Sequence, residues 1–246
     1  CALPILRNYE KRGLLISATG TGKTYLSAFD VKNSNPQKVL FIAHRKTILQ
    51  KSKEAYENIL RNKKIVIYGD EEVEGADVVF AMIQTLSKEN HLAKFSPDYF
   101  DYIVIDEVHH GGAKSYQAVI NYFTSKFLLG MTATPERGDN FDIYKLFDNN
   151  IAYEIRLHDA LKEELLCPFH YFGISDIEVD GELINEKSGI KKLTTSERVN
   201  HILEKSKFYG YSGEKLHGLI FVSRVEEALL LEERFQKRGV KCVALV

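Results

Sequence analysis

The chain has 246 residues, of which 44% are hydrophobic and 27% charged, and its formal net charge is −1. This composition is that of a soluble globular protein able to build a core, and no apolar run approaches the roughly 20 residues of a membrane helix. The near-neutral charge means that any nucleic-acid binding must come from a local basic patch. The start of the chain lacks the order of a signal peptide, and its three cysteines form no CxxC pair. We therefore expect a cytoplasmic protein without a disulfide framework or a zinc finger.

Short apolar runs rich in β-branched residues alternate with stretches of helical period along the first part of the chain. The predicted strands are 13–17, 38–44, 64–69, 77–83, 102–106 and 127–134. Several of them are apolar on both faces, as in a parallel sheet covered by helices. Residues 47–62 and 113–125 carry apolar side chains at helical spacing. This alternation predicts a doubly wound α/β domain.

A second series of elements follows a polar, turn-rich stretch over 176–189. It comprises a helix with a capping box formed by Thr194 and Glu197, a strand over 218–223, a helix over 224–239 and a last strand. We expect a first domain over residues 1–157, and a connector with the opening part of a second domain over 158–246. The chain begins without Met and ends in a strand-like run, so we expect it to be part of a larger polypeptide.

The segment "SATGTGKT", residues 17–24, is the most informative one. It matches G-x-x-x-x-G-K-[ST] except that Ser17 stands at the first glycine, and an apolar strand precedes it while a helix follows. Lys23 is expected to reach β- and γ-phosphates, and the Thr24 hydroxyl to reach Mg²⁺. The backbone N–H groups expected to surround phosphate oxygens are those of Thr19, Gly20, Thr21 and Gly22. The alternative is a Gly/Thr-rich turn with an incidental lysine, and the agreement of motif and flanks favours a nucleotide site.

The segment "IVIDEVHH" has two interpretations. Glu107 and His110 have the Glu-x-x-His spacing of some metal ligands, but zinc needs three or four convergent ligands, and no Cys or His lies at suitable spacing. Beside a phosphate loop, Asp106 at a strand end is suited to hold Mg²⁺. Glu107 is then suited to orient and deprotonate the attacking water.

The ordered set "SATGTGKT", "DEVHH" and "LLGMTATPER" resembles the ATPase core of superfamily-two DExH-box helicases. The nearest likeness is the branch that includes type III restriction subunits and excision-repair helicases. "VLFIAHRKTILQ" resembles motif Ia, "VVFAMIQTL" motif Ib, and "GLIFVSRVEEALLLEERF" motif IV at the start of a second RecA-like domain. The resemblance covers nearly the whole chain. It implies a RecA-like parallel sheet sandwiched by helices, with ATP and Mg²⁺ as cofactors.

The same resemblance implies roles for individual residues. Lys23, Asp106 and Glu107 would be catalytic, with Thr24 and Asp106 holding Mg²⁺. The residues that would couple the nucleotide state to nucleic acid are His109, Thr132 and Thr134. Those near the nucleic-acid backbone would be Arg45, Gln84 and Thr85.

Simpler interpretations stay open for several of these residues. Thr132 and Thr134 can be ordinary strand-end hydroxyls, Arg45 can be a solvated charge, and His110 has no assigned role. A basic cluster on and around the predicted helix over 47–62 is interspersed with acidic residues, which favours a solvated helix face over a nucleic-acid-binding stripe. It is formed by Lys46, Lys51, Lys53, Arg61, Lys63 and Lys64.

Two features of the resembled family are missing. No Gln precedes Ser17 to read adenine, and the chain ends before the arginine-bearing motif VI. Because an arginine finger contributes about 10³–10⁵ in rate, we expect the 246-residue chain alone to be a poor ATPase.

The sequence therefore predicts an ATP-dependent helicase or translocase core that moves on nucleic acid, with DNA favoured over RNA. One alternative is a double-strand DNA translocase of a restriction system that does not separate strands. Another is an ATP-gated nucleic-acid clamp. A transporter or GTPase is disfavoured, because no LSGGQ signature is present and "NKKI" (62–65) lacks the Asp of a guanine-reading NKxD.

Overall fold

The computed structural model describes residues 3, 8–136, 141–179, 181–185, 188–211 and 213–245. The chain divides into two compact units, Cys1–Pro168 and Phe169–Val246. The predicted domain division after residue 157 stays a prediction. Among the described residues, no helix has both the length and the apolar character needed to cross a bilayer.

A seven-stranded sheet in which every pair is parallel forms the centre of the first unit. Its strands are β1 (Arg12–Ser17), β2 (Val39–Ala43), β3 (Ile65–Ile67), β4 (Val78–Met82), β5 (Tyr102–Ile105), β6 (Phe127–Thr132) and β7 (Ile151–Ile155). The spatial order is β3-β4-β2-β5-β6-β1-β7. The strand before the phosphate loop, β1, and the strand before "DEVHH", β5, therefore both neighbour β6.

Helices lie between these strands and after the last of them. They are α1 (Lys23–Ser34), α2 (Lys46–Ile59), α3 (Ile83–Leu86), α4 (Glu89–Leu92), α5 (Lys114–Tyr122), α6 (Ile143–Leu146) and α7 (Leu157–Lys162), with a 3-10 turn over Val108–His110. The α/β prediction is confirmed, and each of the six predicted strands corresponds to one of β1–β6. β7 was not predicted. It is an edge strand with a mixed buried and exposed pattern, so it lacks the continuous apolar run of the central strands.

Two apolar layers cover the faces of the sheet because alternate strand residues point to opposite sides. Leu14 and Ile16 face the layer that contains Tyr116 and Val119 of α5. Leu15, between them, faces the layer formed with α1 and α2. Burial on both faces explains why the central strands read as unbroken apolar runs.

Gly130 in β6 is a point of close packing. A Cβ atom built there would overlap the buried ring of Phe147. Because a packed core relaxes only partly, we expect Gly130→Ala to lower the free energy of unfolding by about 2 kcal/mol. Gly173→Ala is the control, since a Cβ at Gly173 meets no heavy atom within 4 Å. Urea denaturation of both variants measures the difference, and equal stabilities would contradict the packing argument.

The described residues of the second unit form a two-stranded antiparallel pair and three helices. These are β8 (Glu178–Val179) with β9 (Glu182–Leu183), and α8 (Ile190–Leu193), α9 (Ser196–Tyr209) and α10 (Val225–Gln236). Val199 of α9 packs against Leu231 and Phe235 of α10. The two longer helices confirm the predicted helices.

Three details of the second unit were predicted wrongly. The cap of α9 is Thr195, whose hydroxyl accepts from Arg198 N at 3.2 Å. Thr194 instead donates to Ile190 O at 2.9 Å and completes the turn of α8. Residues 218–223 and the described end of the chain are not in strands. Phe221 is 89% exposed there, and a strand requires the hydrogen bonds of a neighbour.

Candidate nucleotide-hydrolysis site

The carboxyl ends of five neighbouring strands bring the predicted site residues to one edge of the sheet. The phosphate loop follows β1, His44 and Arg45 follow β2, and α3 with Gln84 and Thr85 follows β4. Asp106 and Glu107 follow β5, and Thr132 ends β6. This edge is where open α/β sheets bind their ligands.

The phosphate loop depends on two glycines with left-handed backbone angles. Gly20 has φ 88°, and Gly22 has φ 86°. Residues that carry a side chain rarely adopt these backbone angles. In addition, a Cβ atom at Gly20 would lie 3.2 Å from Leu166 Cδ2. Gly22 immediately precedes α1, whose first free N–H groups and dipole face this point. The loop geometry is therefore that of an anion cradle at a helix N-terminus.

Hydrogen bonds within the loop hold it closed. The hydroxyls of Ser17 and Thr21 are bonded to each other, and Thr21 also donates to Ala18 O at 2.6 Å. The Lys23 ammonium donates to Ser17 O at 2.9 Å. Burial lowers the pKa of Lys23, while the nearby negative charges of Glu107 and Asp106 oppose that shift.

Asp106 is a nearly buried carboxylate, 7% exposed. Its Oδ1 accepts from Glu107 N at 3.0 Å. Burial, followed by the negative charge of Glu107, raises the pKa of Asp106 to about 6, and Lys23 partly opposes this. A buried carboxylate with its charge only partly compensated is suited to a cation.

Glu107 adopts a left-handed conformation, φ 51° and ψ 46°. Such angles are costly for a residue with a side chain, and they cluster at functional sites. The turn that they create places Glu107 Oε2 at 3.0 Å from His109 Nδ1. The backbone thus turns the catalytic candidate away from its strand and toward the histidine.

The predicted coupling residues are linked by hydrogen bonds. His109 Nδ1 lies 3.2 Å from Thr132 Oγ1, and that hydroxyl oxygen accepts from Thr134 N at 3.1 Å. Thr132 is fully buried. The contacts join the turn after β5 to the end of β6 through one imidazole.

The predicted nucleic-acid residues lie together at the same edge. Arg45 is exposed and immediately precedes α2. Gln84 Nε2 donates to His44 O at 2.9 Å, which joins the segments after β2 and β4, and Thr85 is the next residue. His44 was not singled out from sequence, although its position before Arg45 at a strand end marks it.

Three of the six residues of the basic cluster on and after α2 form ion pairs within the first unit. Lys46 lies 2.8 Å from Asp70, and Lys53 lies 2.7 Å from Glu71. Lys63 is 3.8 Å from Asp77. These ion pairs agree with a solvated helix face rather than a binding stripe.

The geometry of the site fits the phosphates of a nucleotide and a divalent cation. The glycine cradle and the N-terminus of α1 suit phosphate oxygens, and Lys23 supplies a cation beside them. Asp106 supplies a partly compensated carboxylate near that cation, and Thr24 is the second residue of α1. Thr24 and Asp106, the two predicted Mg²⁺ ligands, therefore each bring an oxygen atom to this edge of the sheet.

Removing the Asp106 charge should stabilise the nucleotide-free fold at high pH. Its pKa in the folded state, about 6, exceeds the ordinary 3.8. Protonated Asp106 therefore contributes stability at low pH that is lost as pH rises through 6. We expect Asp106→Asn to be about 3 kcal/mol more stable than the wild type at pH 8. Urea unfolding without Mg²⁺ should show the gain fading between pH 6 and pH 4, and a pH-independent difference would contradict it.

Fold and site together define a RecA-like domain with a phosphate loop and an acidic strand end. The chain belongs to the family described as "Type III restriction enzyme, res subunit", whose model matches residues 3–137. Membership confirms the resemblance to superfamily-two cores near the type III restriction branch.

Individual relatives match larger parts of the chain. It is 30% identical over 185 residues to the type I restriction enzyme EcoAI endonuclease subunit of Escherichia coli, covering 70% of this chain and 22% of that protein. It is 28% identical to the "putative mitochondrial ATP-dependent helicase irc3" of Schizosaccharomyces pombe, covering 96% of this chain and 41% of that protein.

A solved structure shares the fold over almost the whole chain. It is the fragment of a "putative HsdR subunit of a type I restriction enzyme" from Vibrio vulnificus YJ016, with a TM-score of 0.66 and 22% identity. The match covers 97% of this chain and 43% of that one. The chain thus spans less than half the length of each of these three proteins.

Proposed function

We propose that this chain is the ATPase core of a nucleic-acid helicase or translocase. The observation that carries the proposal is the contact series at the sheet edge. His109 lies 3.0 Å from the Glu107 carboxylate and 3.2 Å from the Thr132 hydroxyl. One imidazole thereby connects the hydrolytic turn to the end of β6, as a motor requires when it links nucleotide state to movement.

Different residues of the chain have different roles in ATP hydrolysis. Lys23 and the loop amides hold the β- and γ-phosphates, and Thr24 with Asp106 holds Mg²⁺. The metal ion, when bound, neutralises charge on the phosphate oxygens. Glu107 takes a proton from water while the water oxygen bonds to the γ-phosphorus. The bond to the bridging oxygen breaks, and ADP leaves with the electron pair.

We further propose that the nucleic acid on which the protein moves is DNA rather than RNA. Both the family name and the relative from Escherichia coli refer to restriction enzymes, and a relative from Sulfurisphaera tokodaii, 27% identical over 145 residues, is named a "DNA 3'-5' translocase". Arg45, Gln84 and Thr85 would contact the nucleic-acid backbone from the segments after β2 and β4. Contacts of this kind are sequence-neutral and weaken with salt.

ATPase stimulation tests the proposal. The intact protein is assayed with single-stranded DNA, duplex DNA and RNA at two salt concentrations, with Lys23→Ala as the blank. We expect stimulation that is strongest with DNA and weaker at the higher salt concentration. Turnover that no nucleic acid changes would contradict the motor function.

A second assay separates strand separation from simple translocation. Displacement of one strand from a duplex reports unwinding, whereas displacement of a triplex-forming strand from an intact duplex reports translocation. We expect strand displacement, and triplex displacement alone would assign a translocase that leaves the duplex closed. If neither occurs and a Glu107→Gln protein keeps its biological activity, the chain is an ATP-gated clamp.

A further inference from the structure

A row of imidazole rings runs from the end of β2 to the catalytic turn. The ring centroids of His44 and His110 are 5.6 Å apart, and those of His110 and His109 are 4.2 Å apart. His109 in turn contacts the Glu107 carboxylate at 3.0 Å. His110, for which the sequence suggests no role, therefore stands between His44 and the catalytic residues.

The His44 end of this row is where both candidate nucleic-acid segments meet. β2 and β4 are paired up to Ala43 and Met82. Immediately beyond, His44 O accepts the 2.9 Å hydrogen bond from Gln84 Nε2. Arg45 is the next residue in the chain. A displacement of either segment must therefore move the His44 backbone.

The buried polar atoms around His110 stabilise the fold less than apolar side chains in the same space would. His44 Nδ1 and the Tyr116 hydroxyl are buried and have no hydrogen-bond partner among the described residues. Tyr116 lies beside His110, with ring centroids 6.4 Å apart. A buried polar atom without a partner lowers the stability of the fold, and apolar rings would fill the same space without that cost. Polar rings on both sides of His110 point to a role other than stability.

We propose that His110 is a positioning residue that connects the nucleic-acid segments to the catalytic base. Its ring transmits movement of the His44–Arg45 segment to His109, and His109 orients the Glu107 carboxylate. The inference rests on the proposed function, because it assumes that nucleic acid binds at this edge. The proposed link from the end of β2 through His110 to His109 is additional to the contact between His109 and Thr132.

Steady-state ATPase assays of the intact protein test this role. The variants are His110→Ala, His110→Phe, His44→Ala and the double His44→Ala/His110→Ala. The matched control is His91→Ala, which removes a histidine whose ring contacts that of Tyr68, 5.6 Å between centroids, and which is not part of the row formed by His44, His110 and His109. Each variant is measured without and with saturating DNA, and melting temperatures verify folding.

We expect His110→Ala to lower the ratio of stimulated to basal turnover about tenfold, within the usual range of coupling between sites. The basal turnover and the DNA concentration for half-stimulation should stay near wild type. His110→Phe should recover part of the ratio because it keeps a ring in place. The double variant should be no worse than the worse single variant, and His91→Ala should behave as wild type.

Several results would overturn the inference. They are wild-type stimulation in His110→Ala, an equal fall of basal and stimulated turnover, or the same loss in His91→Ala. If His110→Ala does not fold, His110→Phe and His44→Ala decide between the same outcomes. Absence of stimulation in the wild type would refute the proposed function, and the inference with it. Normal wild-type stimulation with an unaffected His110→Ala would refute the inference alone.

Discussion

Replacing Glu107 by Gln is expected to lower the turnover number for ATP about 10³-fold, as the loss of a general base does. Gln keeps the size of the side chain and can still hydrogen-bond to His109, but it cannot accept the proton of the attacking water. The left-handed turn that presents residue 107 does not depend on the carboxylate. Nucleotide affinity should therefore stay close to wild type.

Two measurements separate this effect from misfolding. Turnover is followed by phosphate release, and affinity by titration with a fluorescent ATP analogue. Glu89→Gln at the exposed start of α4 is the control and should keep full turnover. A Glu107→Gln protein that hydrolyses ATP within about tenfold of the wild type would assign the base to another residue.

Replacing Lys23 by Ala is expected to lower kcat/KM for ATP by about 10²–10³-fold, the usual cost of losing a group that stabilises transition-state charge. Lys23 is the cationic side chain within the glycine cradle, and its ammonium is held by Ser17 O at 2.9 Å. Unlike Glu107→Gln, this change should weaken both nucleotide binding and turnover.

Two further variants sharpen the Lys23 result. Lys51→Ala removes a lysine from an exposed position of α2 and should leave kcat/KM unchanged. Lys23→Arg keeps the charge but replaces a compact ammonium by a planar fork, so it should remain strongly impaired. Full activity in Lys23→Arg would show that charge alone is sufficient.

The sequence predicted those parts of the site that are fixed locally. The phosphate loop and "DEVHH" each combine a short motif with an apolar strand, and the structure places both at strand ends on one edge. The alternation of strands and helices likewise predicted α/β architecture, because burial on both faces leaves an unbroken apolar run. The roles of these residues stay predictions until the variants are measured.

The remaining features depend on contacts between distant segments. The order of the strands places β6 between β1 and β5, and no local pattern specifies that order. The position of His110 beside His44 depends on how β2 and β5 pair. Residues 218–223 show the converse, since a strand-like composition forms no strand where no neighbour supplies hydrogen bonds among the described residues. The shift of the α9 cap to Thr195 arises because the preceding turn already uses the Thr194 hydroxyl.

The hydrogen bonds inside the phosphate loop have a consequence for binding thermodynamics. Ser17, Thr21 and Lys23 bond to one another or to loop carbonyls in the nucleotide-free chain. The conformational entropy of ordering the loop is thus lost during folding rather than at the moment of association. Serine in place of the first glycine contributes directly, since glycine has no hydroxyl for Thr21. The loop is preorganised, and nucleotide binding needs chiefly to exchange the Lys23 contact with Ser17 O for a contact with phosphate.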